Sequence, residues 1–157
     1  MLVAALLAVF LLAAAPDSSD EEPQPSPDLT PEEVIRLQVE ALQQNDTPYP
    51  DAGIEAAFRF ASPANKQATG PLRRFAEMVK GPVYGAMLGF ERAEYGPIQV
   101  QGDRAVQRVT LVQPDGRRVS YVFGLTRQTE GAYDGCWMTD AVMRDTQPAR
   151  ENGLRRT

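Results

Sequence analysis

Near Phe90, the period of the apolar residues changes from about 3.6 residues to about two residues. This change constrains the fold more than any other feature of the sequence. Before Phe90, apolar residues keep helical spacing, as at Ile54, Ala57 and Phe58. After it, apolar and polar residues alternate, as in residues 117–128. Helices followed by antiparallel strands are the order typical of an α+β domain.

Residues 30–81 predict three helices, of which the first has the clearest beginning. Thr30 and Glu33 have the spacing of a capping box, and Pro31 suits the first helical position. Ser-Pro and Gly-Pro pairs separate the helices that follow. The predicted helices are 30–44, 51–61 and 71–80, with a short helical turn at 62–68.

Residues 91–144 predict a meander of four antiparallel strands. A Gly-Pro pair at 96–97 interrupts the first strand, where a bulge or kink is expected. The Pro-Asp-Gly sequence at 114–116 favours a hairpin. In the third strand, the alternating set from Val119 to Leu125 is the better core face. The predicted strands are 91–101, 104–113, 117–128 and 136–144.

These elements predict a cone. Three N-terminal helices packed on a curved four-stranded antiparallel sheet leave an open mouth at one end. This architecture is similar to that of the nuclear-transport-factor-2-like and cystatin-like superfamily.

Four segments carry a more specific resemblance. They are FRFASPAN at 58–65, TGPL at 69–72, YVFGL at 121–125 and GCWMTD at 135–140. As a set they resemble a family of uncharacterised bacterial proteins, catalogued only as a domain of unknown function, over about residues 31–144. The resemblance implies the fold and an exported bacterial protein, and it supplies no substrate and no catalytic residue.

An apolar run at residues 2–15 precedes this domain. As a helix it would extend about 21 Å, whereas a bilayer core is about 30 Å thick, so the run favours a signal peptide. No basic residue precedes the run and Pro16 follows it, which leaves an uncleaved N-terminal anchor as the alternative. We expect a periplasmic or secreted protein, or one anchored to the inner membrane. The predicted divisions are the leader at 1–15, an acidic proline-rich linker at 16–29, the single α+β domain at 30–145 and a flexible C-terminal tail at 146–157.

Charge and composition exclude several classes of function. The linker holds five acidic side chains and no basic one, which accounts for the whole formal charge of −5, so the domain has no net basic field for nucleic acid. The chain has no histidine, which removes His-dependent catalysis and His-ligated zinc, and no metal site or cofactor is expected. The single cysteine, Cys136, is either buried or paired between chains, and its apolar strand favours burial.

Asp140 is the catalytic candidate, with Tyr121 or Tyr84 as its partner. A carboxylate and a tyrosine in an apolar cone are the elements of a ketosteroid-isomerase type of site. The simpler interpretation is a structural Asp–Arg pair. Strand alternation places Trp137 and Asp140 on opposite faces unless a bulge intervenes.

The ligand-binding candidates are Arg127, Trp137, Asn65 and Arg108. Arg108 either binds an anionic ligand or pairs with a carboxylate on the outer sheet face. Asn65 lies in a segment that either lines the mouth of the cone or only ends one helix and starts the next.

The leading hypothesis is an exported domain without catalytic activity that binds a small molecule or a protein. One alternative is a lyase or isomerase that uses Asp140 with a tyrosine. The other is a structural module of the cell envelope that forms a homodimer through the open sheet face. This alternative depends on apolar residues expected on that face, namely Val106, Val112, Val122 and Val142.

Overall fold

The computed structural model describes residues 22–146, and the predicted leader at 1–15 lies outside them. Within this range the chain forms four α-helices followed by one five-stranded antiparallel sheet. The helices are α1 (Pro31–Gln43), α2 (Ala52–Arg59), α3 (Pro63–Thr69) and α4 (Leu72–Val79). The strands are β1 (Arg92–Tyr95), β2 (Gln99–Gln101), β3 (Arg104–Val112), β4 (Arg118–Arg127) and β5 (Trp137–Asp145).

The α+β class is confirmed, but the predicted three helices and four strands are corrected to four and five within residues 22–146. The extra helix is α3, because the Ser62 hydroxyl accepts a hydrogen bond from the backbone N–H of Asn65 and caps a full helix at the predicted turn. The extra strand arises at Gly96-Pro97, which divides the first predicted strand into β1 and β2. Both pieces still pair with β3.

The start of α1 is confirmed as a capping box. The backbone N–H of Thr30 donates to the Glu33 carboxylate at 2.8 Å, and the Glu33 N–H donates to the Thr30 hydroxyl at 3.2 Å. The helix buries a wide face (Val34, Ile35, Gln38, Val39 and Leu42) because it packs on α2 and on β5. One of those five residues, Gln38, is polar.

The sheet has the order β1-β3-β4-β5, with β2 also on β3. The predicted core face of β4 is confirmed, since Val119, Tyr121, Phe123 and Leu125 are all buried. The predicted hairpin is confirmed as well: Gly116 has a φ of 82°, and the Gln113 N–H bonds the Arg117 carbonyl at 2.8 Å.

A β-bulge at Asp140 changes the faces of β5. Leu125 pairs with Thr139 and Gly124 pairs with Ala141, so Asp140 has no partner in register on β4. Thr139 and Val142 therefore both face the helices, although they are an odd number of residues apart. The edge of β5 is covered by the segment between α2 and α3, where Thr139 N–H donates to the Phe60 carbonyl at 2.9 Å.

The outer sheet face differs from the prediction in two respects. Val142 faces the core because of the bulge, and Val112, whose register partners are Arg92 and Arg118, is buried. Val106 is 44% exposed and Met143 62% exposed on this face.

The end of the predicted linker contacts the domain. Arg59 of α2 forms an ion pair with Glu22 and donates to the Pro23 carbonyl at 3.3 Å. Among the described helices, none has the length and apolarity that crossing a membrane requires.

Candidate functional site

A cavity of about 290 Å³ lies between the helices and the sheet. Side chains from all four α-helices, the turn at Gly85–Met87, β4 and β5 line it. Its floor is buried and apolar, formed by Leu42, Ala57, Val79, Met87 and Phe123. Ala57 on α2 and Ala61 just after it also line the cavity, and their small side chains leave space there.

The cavity opens between α3 and β5. Ala68 of α3 and Ala141 of β5 line it and are exposed, and so is Met143. On β5, Thr139 is buried, Asp140 and Val142 are partly buried, and Ala141 is exposed. Asp140 therefore lies at the level where the apolar floor meets solvent.

Polar side chains at the cavity are held by hydrogen bonds within the protein. The Gln38 amide donates to the Thr139 hydroxyl at 2.8 Å and to the Val34 carbonyl at 3.1 Å. The Asn65 amide donates to the Thr139 carbonyl at 3.0 Å, and the Thr69 hydroxyl donates to the Asn65 carbonyl at 2.8 Å. These groups fix α1 and α3 to β5.

Asn65 fits both interpretations made from the sequence. The Ser62 cap and Pro63 begin α3, and Gly70-Pro71 separates it from α4, as expected of a segment that ends one helix and starts the next. Asn65 and Thr69 also line the cavity.

Asp140 is the one charged side chain at this cavity, within the residues that the structure describes. Neither a hydrogen bond nor an ion pair joins its carboxylate to any group in residues 22–146. The structural Asp–Arg pair expected from the sequence is not formed within residues 22–146, where Arg108 pairs with Asp145 on the outer face and Arg127 is 3.9 Å from Asp103.

The two candidate tyrosines donate to backbone carbonyls. Tyr84 lines the cavity with Asp140, and its hydroxyl donates to the Val142 carbonyl at 2.9 Å. Tyr121 stacks on Tyr84 with ring centroids 6.2 Å apart, outside the cavity lining, and its hydroxyl donates to the Val83 carbonyl at 2.8 Å. Burial raises the pKa of Tyr121 above its ordinary value, which disfavours the phenolate form.

The other ligand-binding candidates lie apart from the cavity. Arg127 stacks over the Trp137 ring at 4.9 Å from its centroid, and neither residue lines the cavity. Trp137 is buried in the core, so this contact covers the end of the sheet. Arg108 forms an ion pair with the Asp145 carboxylate on the outer face, which is the second of the two roles considered for it from the sequence.

Sequence reasoning missed most of the cavity lining. Phe75, Met78, Val79 and Met87 have the spacing of ordinary core residues, and only the tertiary structure reveals the space between them. Gln38 could have been identified from the sequence as a candidate lining residue, because it is a polar residue on the buried face of α1.

Cys136 is confirmed as buried, at 3% exposure. Burial raises the pKa of its thiol and so disfavours the reactive thiolate. Within residues 22–146, no group of three acidic or cysteine side chains is placed to hold a metal ion.

The fold and the site define a class: a small α+β domain with helices on one face of an antiparallel sheet and an apolar cavity between the two layers. The chain belongs to the family described as Domain of unknown function (DUF4864), whose model matches residues 26–149. The sequence-based assignment to a domain of unknown function is thereby confirmed. No curated protein and no solved structure matches the chain.

Proposed function

We propose that this domain binds a small, largely apolar molecule in the cavity between the helices and β5, and that it does so without catalysis. The supporting observation is the cavity itself, with an apolar floor and, among residues 22–146, a single charged group at the mouth. Small-molecule sites commonly have this composition. A cavity of 290 Å³ is about twice one that holds benzene, so it suits a ligand of roughly ten to twelve non-hydrogen atoms.

The energetics of packing support an occupant. Lining atoms of an apolar void lose dispersion contacts, and water gains little in a space with few unpaired polar groups. A ligand that fills the floor restores those contacts. The hydrogen bonds from Gln38 and Asn65 to Thr139 hold α1 and α3 at a fixed distance from β5 in the absence of the ligand.

A blocked entrance tests this proposal. Ala68→Leu places a larger side chain at the mouth on α3, where it is exposed and should not affect folding. Its matched control is Ala64→Leu, which is also exposed on α3 but does not line the cavity. We expect 1-octanol to raise the melting temperature of the wild type and of Ala64→Leu, and to have much less effect on Ala68→Leu. Equal shifts in all three proteins would place octanol elsewhere and contradict the proposal.

The lyase or isomerase alternative stays a prediction. Both tyrosine hydroxyls donate to backbone carbonyls, an arrangement that favours a structural role for them over proton transfer to a substrate. Turnover of a β,γ-unsaturated ketone that is lost in Asp140→Asn would support it.

We also propose that the domain has the cone-like arrangement of the nuclear-transport-factor-2-like folds and that it is exported. Helices on one sheet face with a cavity between them support the first proposal, and the apolar run at residues 2–15 supports the second. A mature N-terminus at or beyond Pro16 would indicate a cleaved signal peptide.

The homodimer through the outer face stays a prediction, and sedimentation of the wild type at high concentration tests it.

A further inference from the structure

We infer that the ligand of this cavity is amphipathic and carries a cationic head, an amine or related group, that binds the Asp140 carboxylate while its apolar body occupies the floor. This inference rests on the proposed function and deepens it, because it assigns the class of ligand. Four observations support it: the position of Asp140, its lack of a described partner, the absence of basic side chains from the cavity lining within residues 22–146, and the burial of the floor relative to the mouth.

Asp140, the extra residue of the bulge, lies at the cavity. In a regular strand, a residue next to Thr139 would lie on the outer face, since Thr139 faces α1. Asp140 is instead the extra residue between the Thr139–Leu125 and Ala141–Gly124 pairs, and it lines the cavity. Bulges commonly redirect a side chain in this way near functional sites.

No structural role accounts for the carboxylate within the described residues. A bulge does not require an acidic residue, and the Asp140 oxygens accept from no backbone or side-chain donor in residues 22–146. Three carboxylates of the domain show such roles: Glu33 caps α1, Glu94 pairs with Arg118, and Asp51 binds Lys80 at 2.6 Å. A partly buried carboxylate without such a partner gains most from a cationic donor.

The surroundings favour a cation over an anion or a neutral head. No lysine or arginine lines the cavity among the described residues. Several hydrogen-bond donors nearby are already engaged: the Gln38 amide donates to the Thr139 hydroxyl, the Asn65 amide to the Thr139 carbonyl and the Tyr84 hydroxyl to the Val142 carbonyl. An anionic head would therefore meet a like charge with few donors to stabilise it, whereas an ammonium group would form a charge-assisted hydrogen bond.

The burial gradient orients the ligand. The floor at Ala57 and Phe123 is buried, and the mouth at Ala68 and Ala141 is exposed. Asp140 lies between these levels, so a charged head there keeps part of its hydration while the apolar body is removed from water. A linear or aromatic amine fits this arrangement end-on.

Three probes of matched chain length test the inference: octylamine, 1-octanol and octanoate, titrated calorimetrically into the full chain. In the wild type we expect octylamine to bind about tenfold more tightly than octanol, which corresponds to one charge-assisted hydrogen bond of about 1.4 kcal/mol, and octanoate to bind most weakly. In Asp140→Asn the preference for the amine should disappear while octanol binding is unchanged. Asp140→Glu should retain the preference, and Glu77→Gln, an exposed acidic site on α4 away from the cavity, should leave it intact.

The outcomes separate the inference from the proposed function. Equal affinities for octylamine and octanol, or tightest binding of octanoate, would overturn the cationic ligand while leaving the apolar site in place. An amine preference that persists in Asp140→Asn would also overturn the assignment. Failure of all three probes to bind the wild type would overturn the proposed function and, with it, this inference.

Discussion

The side-chain amide of Gln38 on α1 donates to the hydroxyl of Thr139 on β5 at 2.8 Å, and both residues are buried. This bond joins the first helix to the last strand at the residue beside the bulge. It therefore fixes the distance between the two layers where the cavity lies. The backbone of the same strand residue also bonds to Phe60 and Ser62, so Thr139 connects α1, the α2–α3 segment and the sheet.

Thr139→Val should destabilise the domain by about 1–3 kcal/mol, because it leaves part of a buried amide unsatisfied without changing the volume much. Urea denaturation monitored by circular dichroism measures the change. Thr110→Val is the matched control, since Thr110 also forms a side-chain bond between strands, to Ser120 at 2.8 Å, but in a partly exposed position. The control should lose clearly less stability, and equal losses would contradict the structural role of the buried bond.

The capping box makes stability depend on pH. Hydrogen bonds from the backbone and hydroxyl of Thr30 hold the pKa of Glu33 below its ordinary value of 4.5. The folded-state pKa is thus the lower one, so the carboxylate's contribution is complete above about pH 5 and is lost as pH falls through the lowered pKa.

The difference in unfolding free energy between the wild type and Glu33→Gln should therefore shrink as the pH falls from 7 to 3. Glu32→Gln, in the same helical turn but outside the capping box, serves as control. A difference that does not change with pH would show that the charge of Glu33 has no part in capping.

Arg59 should attach the end of the linker to the domain. Arg59→Gln removes its ion pair with Glu22 and weakens the bond to the Pro23 carbonyl. We expect proteolysis or amide exchange within residues 22–29 to become several-fold faster, with little change in global stability because an ion pair with a half-exposed partner such as Glu22 contributes little. Arg73→Gln, at an exposed position on α4, should leave both unchanged. A large loss of global stability in Arg59→Gln would contradict the prediction that Arg59 mainly attaches the linker to the domain.

Cys136 should react slowly with a thiol reagent in the native protein. Its thiol is buried and its pKa is raised, so both access and thiolate formation are limited. The labelling rate should rise sharply across the urea unfolding transition. A cysteine placed at exposed Val100 in a Cys136→Ser background gives the rate for an accessible thiol. Comparable native rates at the two positions would show that Cys136 is accessible.

Features that depend on local sequence were predictable. The Thr30–Glu33 capping box, the hairpin at 114–116 and the buried face of β4 follow from spacing and turn chemistry alone, and all three are confirmed. The division of the first strand at Gly96-Pro97 was expected as a kink, because proline has no N–H for the ladder.

Features that depend on long-range packing were not predictable. Nothing near Asp140 in the sequence marks it as the bulged residue, because the register with Gly124 and Leu125 is set by the whole strand pair. The wrong assignment of Val142 to the outer face follows from the same bulge. The cavity requires helices α1 to α4 to meet the sheet without filling the space, which depends on side-chain sizes at positions distant in sequence.

Mapping of ligand contacts tests the central claim most directly. Backbone amide shifts in a ¹H–¹⁵N spectrum should be followed while octylamine is added to the labelled protein. Binding in the cavity predicts the largest changes at Ala57, Thr139, Asp140 and Val142, with Val106 and Val122 of the outer face unchanged. Changes confined to the outer face, or none at saturating probe, would contradict a ligand site between the helices and the sheet.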